Sequence, residues 1–335
     1  MRAVVAPEFE SYLRSAKNLG DLDRPDSHLI IANLVEQVRK AAIELQLPTG
    51  AEFVFGAHLG EGLTASQLAV AGEQESIIEI SRGLIVFLNC VSKSFAALLT
   101  YPANDLVEID PGAAIERFRS TPDFRRDWEE LIDAFAISNT VPPRRPPPSP
   151  VADNRFAVKK ELLDAMEIFV VAHEFGHHAL EHGVSDPNQL SSSAPLAPEL
   201  ELDADRYAHM VGVRISLAEQ PANCLGLSGA GIVLALSSLE LVQKAKQVLQ
   251  TGSDTLVPSI THPSVHERIS AIAQMDEFAP EEIRLPSLVT RSHTREIMER
   301  LWLEIRPHFL SLHDQGVRPK AIDGQDIARF ICGNT

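Results

Sequence analysis

Cysteine is scarce in this chain. Three occur in 335 residues, at Cys90, Cys224 and Cys332, and no two form a CxxC pair. That spacing excludes a disulfide framework and a cysteine-built metal site, and it suits buried, reduced thiols. Positive charge is also in deficit, with 30 Lys and Arg against 46 Asp and Glu and a net charge of -16. A surface of that sign argues against direct nucleic-acid binding, which draws on basic patches. Long apolar runs are missing as well: Leu84 to Val91 is interrupted by Asn89 and followed by Lys93, and Gly229 to Leu236 is too short to span a bilayer. The opening Met1-Arg2-Ala3-Val4-Val5-Ala6, followed by Pro7 and Glu8, has no apolar core of secretory-signal length. The expectation is a chain without membrane insertion, in a cytoplasmic setting.

What is present is a metal-ligand pattern. Residues 173 to 177 read His-Glu-Phe-Gly-His. Positions four apart share a helix face one turn apart, so His173 and His177 can aim their imidazoles at a single ion, with Glu174 beside it. A carboxylate placed there can take a proton from a water acidified by zinc and deliver it to a leaving amine. The context is helical: Leu162, Leu163, Met166, Phe169 and Val170 recur at helical spacing, with no proline or glycine between Lys159 and Gly176. Two surface histidines on an amphipathic helix are the plain alternative.

A third ligand narrows the type. The metzincin pattern needs glycine and histidine where this chain has Leu180 and Gly183, so it is excluded. The gluzincin arrangement takes a glutamate from a following helix. Glu201, with Asp205 one turn later, supplies it within Glu-Leu-Asp-Ala-Asp. On one face, Glu201 would bind Zn²⁺, one per chain, and Asp205 would accept the far N–H of a ligand histidine; Asp203 should point away. A merely solvated acidic stretch is the competing reading.

His-Glu-Phe-Gly-His with His182 five residues on, then Glu-Leu-Asp-Ala-Asp-Arg-Tyr-Ala, then Thr261-His262-Pro263-Ser264 leading into Glu267-Arg268-Ile269, resembles the HtpX and CAAX prenyl protease type of gluzincin, here without transmembrane segments. The resemblance implies His262 and Arg268 as auxiliary residues near the substrate or transition state. From the residues themselves, Ser264 to Glu267 is a capping box that starts a helix at Val265 and puts Arg268 on its first turn. His262 as an ordinary turn residue and Arg268 as a structural partner of Asp205 stand beside that reading. Ser76 to Leu84 resembles the family's cleft-bordering strand followed by Gly-Leu opening a helix, with Ala51 to Gly56 as partner strand. Such a strand would hold peptide by backbone pairing; a plain core segment is the alternative.

The expected fold is α+β: a mostly helical, zincin-like gluzincin with a small cleft-lining sheet. Residues 1–50 form an N-terminal helical segment, 51–275 the catalytic domain with a Pro-rich insertion near 141–150, and 276–335 a C-terminal helical extension. Helices are expected over Ser27 to Leu45, Gly229 to Gln250 and Ile322 to Ile331, and over Arg295 to Leu310, where Pro307 should kink or end it. The run Val141 to Pro150 should be extended, as a hinge or as a recognition segment. Asp186 to Pro198 reads as a loop able to cover the cleft. His178 is rotated away from the ion, His182 reads as a solvated helix end, with a second histidine pair with His178 one turn before it as the alternative, and His209 could reach the cleft or a carboxylate.

These readings make the chain a zinc-dependent endopeptidase acting on polypeptides, with Glu174 as general base and acid and with His262, or else Tyr207, stabilising the oxyanion. A regulatory protease with one protein target is the alternative within enzymes. A non-catalytic zinc-binding protein, engaging a partner through its C-terminal helices, is the alternative outside them.

Overall fold

The computed structural model describes residues 25–51, 53–58, 62–69, 76–101, 107–142, 153–182, 198–257, 262–278 and 281–320. Helix α1 (Pro25–Glu44) is followed by strands β1 (Phe53–His58), β2 (Ala65–Ala69) and β3 (Ser76–Ser81). Then come α2 (Arg82–Leu98), α3 (Pro111–Ser120), α4 (Pro122–Asp133), α5 (Asp153–Ala179) and α6 (Pro198–Ala218). The single turn α7 (Cys224–Leu227), α8 (Ala230–Thr251), α9 (Val265–Met275) and α10 (Glu281–Asp314) complete the order. This is the expected α+β architecture, mostly helical with one three-stranded sheet. No helix among the described residues is long and apolar enough to cross a membrane.

The layout follows from α5. Every residue from Ala165 to Ala179 is buried, and a helix hidden on all sides must sit at the centre of its fold. Helices α1, α2, α6 and α8 pack around it, and β2 and β3 lie against it. One apolar cluster runs from Ile31 on α1 through Phe169 and Phe175 on α5 to Phe309 on α10. The polar residues inside that stretch, Glu167, His173, Glu174, His177 and His178, therefore have to find partners within the protein.

Local sequence sets the helix ends. The Ser81 hydroxyl accepts from Leu84 N and starts α2. Asp110 accepts from Gly112 N and Ala113 N at the head of α3. The expected capping box between Ser264 and Glu267 opens α9, and Gly252, at φ 77°, ends α8.

The sheet corrects one expectation. Its order is β1-β3-β2, with β1 parallel and β2 antiparallel to β3. The strand at Ser76–Ser81 is thus central and has both edges occupied, so it cannot pair with a substrate. The short strand Ala65–Ala69, which lacks a strong alternating pattern, carries an edge instead. The expected partner strand is there, at Phe53–His58, two residues further along than the expected Ala51 to Gly56.

Helix α10 corrects a second. It runs unbroken through Pro286 and Pro307, although an interior proline costs about 3 kcal/mol. Pro307 faces solvent, whereas Ile297, Leu301, Ile305 and Phe309 keep one buried stripe across it, with Trp302 stacked on Phe309. Continuing the helix keeps Phe309 buried, a gain of roughly 2–3 kcal/mol that offsets most of the penalty. Of the cysteines, Cys90 is buried as expected but Cys224 is exposed. Cys332, the expected helix Ile322 to Ile331, and most of the Pro-rich run and of the Asp186 to Pro198 loop lie outside the described residues.

Candidate active site

Helices α5 and α6 cross where the pentapeptide lies. Gly176 makes the crossing close: a Cβ there would stand 3.3 Å from Ala204 Cα and from the Tyr207 side chain. With that contact made by hydrogen, Glu201 on α6 comes up against both histidines of α5. His173 Nε2 and His177 Nε2 are 3.1 Å apart, and they lie 3.5 Å and 3.4 Å from the two Glu201 carboxylate oxygens. All three side chains are buried, and their donor atoms are gathered closely enough to hold one metal ion.

A charged scaffold stands behind them. Asp205, one turn after Glu201, approaches His173 Nδ1 at 3.0 Å. Arg268, from the first turn of α9, grips the same carboxylate with Nε at 2.7 Å and Nη2 at 2.6 Å. Arg268 and Asp205 are both buried, so the bidentate pairing is what makes their burial tolerable. His262, just before α9, puts its Nε2 3.4 Å from Glu201 Oε1. Glu174 is buried beside the cluster, where the backbone N–H of Gln67 on β2 bonds to its carboxylate.

The electrostatics of this group call for positive charge at its centre. Burial opposes charge on His173, yet Asp205 and Glu201 overcome it and lift its pKa to about 9. Burial also opposes charge on Glu201, but His173 and His177 hold its carboxyl well below the usual range. Asp205 is likewise held low, against its burial, by Arg268 and His173. Burial pushes Glu174 up to about 7; His173 works against that rise and Glu201 adds to it. Glu201 Oε2 is buried without a hydrogen-bond partner. Two imidazole nitrogens and a carboxylate facing one small space, with a buried oxygen unsatisfied, is a donor set that fits a divalent cation.

Of the residues singled out in the sequence, His173, Glu174, His177, Glu201, Asp205, His262 and Arg268 come together. Tyr207 does not join them: its ring lies against Phe175 and its hydroxyl donates to Pro48 O at 2.7 Å. Asp203 points away and pairs with Arg206, as expected. His178 ties α5 to β3 and the chain before β1 through Ser76 Oγ (2.6 Å) and Ala51 O (3.2 Å). His209 turns from the cluster toward Gly229 and Arg291. His182 is no solvated helix end: it is buried, and its Nδ1 lies 3.0 Å from His177 Nδ1. Gln67 carried no signal, because it acts through its backbone. Gly176 sat inside the motif, and its closeness to α6 depends on a helix that the pattern does not specify.

Comparison with known proteins supplies one match. No curated protein and no solved structure is similar enough to the chain to match it. A family model described as Peptidase U49 matches residues 118–285, half of the chain. The matched stretch contains α5, α6 and α9 whole, and with them every side chain of the cluster. On that match, the chain belongs to the Peptidase U49 family.

Proposed function

We propose that the chain is a zinc-dependent endopeptidase of the gluzincin type, related in design to the HtpX and CAAX prenyl proteases but without membrane spans. The observation that carries this reading is the buried convergence of His173, His177 and Glu201 beside Glu174, in a chain from a peptidase family. His173, His177 and Glu201 would hold one Zn²⁺. When bound, the ion supplies Lewis acidity, lowering the pKa of a water and polarising the scissile carbonyl.

The rest is work for the chain's own groups. Glu174, whose burial raises its pKa to about 7, takes a proton from the attacking water and returns it to the leaving amine. Asp205 holds the Nδ1 proton of His173, so that Nε2 offers its lone pair to the ion; Arg268 fixes Asp205. His262, kept neutral by burial with a pKa of about 4, supplies a neutral ring to the developing oxyanion. Tyr207, its hydroxyl already engaged by Pro48 O, drops out of that role. Substrate backbone meets β2 at Gln67. Because Thr64 accepts from Ser81 N, Gln67 turns its backbone groups away from β3; its N–H goes to Glu174, and its carbonyl is the group offered to substrate.

The domain partition at residues 50 and 275, the cytoplasmic setting and a protein partner at the C-terminal helices belong to the same reading. For the partner, Ile283, Leu285, Leu288 and Val289 on α10 are exposed. The test is metal analysis and proteolysis of a denatured protein substrate by the parent and by Glu174→Gln. Stoichiometric zinc in both, with cleavage by the parent alone, is expected. A parent without zinc sinks the metal reading, and zinc with no Glu174-dependent cleavage favours a binding protein.

A further inference from the structure

The end of α5 is shaped by the backbone rather than by a glycine. Glu181 sits in the left-handed region at φ 58°. His182 N bonds to His177 O at 2.9 Å, and Glu181 N to His178 O at 3.1 Å. This pair of bonds is the Schellman ending, in which the second residue past the helix folds back onto the residue five before it. The two side chains so brought together are usually an apolar pair. Here they are His182 and His177, with ring centroids 5.1 Å apart and Nδ1 to Nδ1 at 3.0 Å.

Resting on the metal reading above, we propose that His182 is a positioning residue for His177, accepting its Nδ1–H and so fixing the tautomer and ring plane that present Nε2 to the ion. A neutral imidazole carries one ring proton. His177 Nε2 faces His173 Nε2 and Glu201, so a His177 that gives its Nε2 lone pair to a cation keeps its proton on Nδ1. That N–H is buried and needs an acceptor, and the acceptor the helix ending delivers is His182 Nδ1. His182 is then the tautomer with its proton on Nε2.

The two ligand histidines are thereby oriented by different chemistry. His173 has a carboxylate, Asp205, whose charge Arg268 balances; His177 has an uncharged ring. Neither arrangement adds net negative charge, so Glu201 alone among the ligands offsets the charge of the ion. A non-glycine residue in the left-handed region is strained and persists where the surroundings demand it. Here what the ending delivers is His182.

The test is the zinc affinity of the full-length protein, measured by chelator competition. His182→Phe keeps the ring's bulk and removes the acceptor; it should weaken zinc binding roughly 10–100-fold. His182→Asn places Oδ1 near the position of Nδ1 and should restore most of that loss. Parent-like affinity in the Phe variant, or an Asn variant as weak as Phe, overturns the proposal. Nitrogen-15 spectra of the histidine rings in the zinc-loaded parent give a reading that needs no variant: Nδ1 should be protonated on His177 and bare on His182, and the reverse overturns the proposal. Zinc lost in His173→Ala but kept in His182→Phe sinks this proposal alone. A parent that takes up no zinc sinks both it and the metal reading.

Discussion

Two buried carboxylates on α5 lie seven residues apart, and so two turns apart on one face. Glu167 is 7% exposed and Glu174 3%. Burial raises both, Glu167 to about 8 and Glu174 to about 7. Their surroundings differ. Glu174 stands among His173, Glu201 and Arg268, with the Gln67 amide on its carboxylate. Glu167 has a repelling neighbour in Asp164 and an attracting one in Lys159, whose own pKa burial depresses. A buried, perturbed acid is therefore not by itself a site. What separates the two is a constellation gathered from α5, α6, α9 and β2, which can hold a charge in place near the end of the helix; at mid-helix the acid copes by keeping its proton.

The largest test of that contrast is catalytic. Glu174→Gln should lower kcat/KM on a protein substrate by roughly 10²–10⁴ while zinc content stays at the parent level. Glu167→Gln should leave kcat/KM at the parent value. Equal losses from both would mean that the contrast between the two acids has no catalytic meaning.

Next in size is the scaffold behind the ligands. Arg268→Ala removes the bidentate partner of the buried Asp205 carboxylate, leaving it to His173, and should cost about 3–5 kcal/mol in urea unfolding of the metal-free protein. Combining it with Asp205→Asn should cost clearly less than the two single changes added together, since the charge to be compensated is gone. Strict additivity would show that Arg268 and Asp205 are not a unit.

The sequence carried much of this site and less of its surroundings, for a physical reason. Helical spacing alone puts His173 with His177 and Glu201 with Asp205, and a capping box alone starts the helix that bears Arg268. These are local rules that act within one or two turns. The strand Ala65–Ala69 was illegible because its place depends on β3 beside it, and Gln67 contributes only an amide that every residue has. The buried place of His182 is not legible in the sequence because a glutamate, not a glycine, turns the chain after α5, so residue type does not announce the helix ending. The unbroken course of α10 through Pro307 was hidden for a similar reason: the proline penalty is local, whereas the burial of Phe309 that offsets it is tertiary.

A pH titration sharpens the comparison from the middle of α5. The folded pKa of Glu167, about 8, lies above its unfolded value, so between those two values the folded state binds more protons. Stability therefore falls as pH rises through that window. In Glu167→Gln the penalty is absent. The variant should match the parent at pH 4 and exceed it above pH 8 by on the order of 2 kcal/mol, a discounted conversion of the pKa shift that allows for relaxation and water entry. Denaturant unfolding at a series of pH values reads this directly, and a difference independent of pH would place the effect of Glu167 in packing rather than in charge.

The smallest effect lies at the site end of α5 and separates strain from positioning. Glu181 holds a left-handed conformation at φ 58° that glycine adopts without the Cβ clash, so Glu181→Gly should stabilise the fold. The relief of about 1 kcal/mol or more is partly offset by the greater freedom of glycine in the unfolded chain, leaving a net gain of ~0.5–1 kcal/mol in denaturant unfolding. The bonds from His182 N to His177 O and from Glu181 N to His178 O are made by the backbone and persist in the variant. The His182 ring should therefore stay on His177, and zinc affinity should equal that of the parent. A gain in stability with unchanged affinity would mean that the ending itself positions His182 and the strain at Glu181 is incidental to it. Weaker zinc binding in a more stable protein would mean that the stiffness of a side chain at position 181 is part of what holds His177 in place.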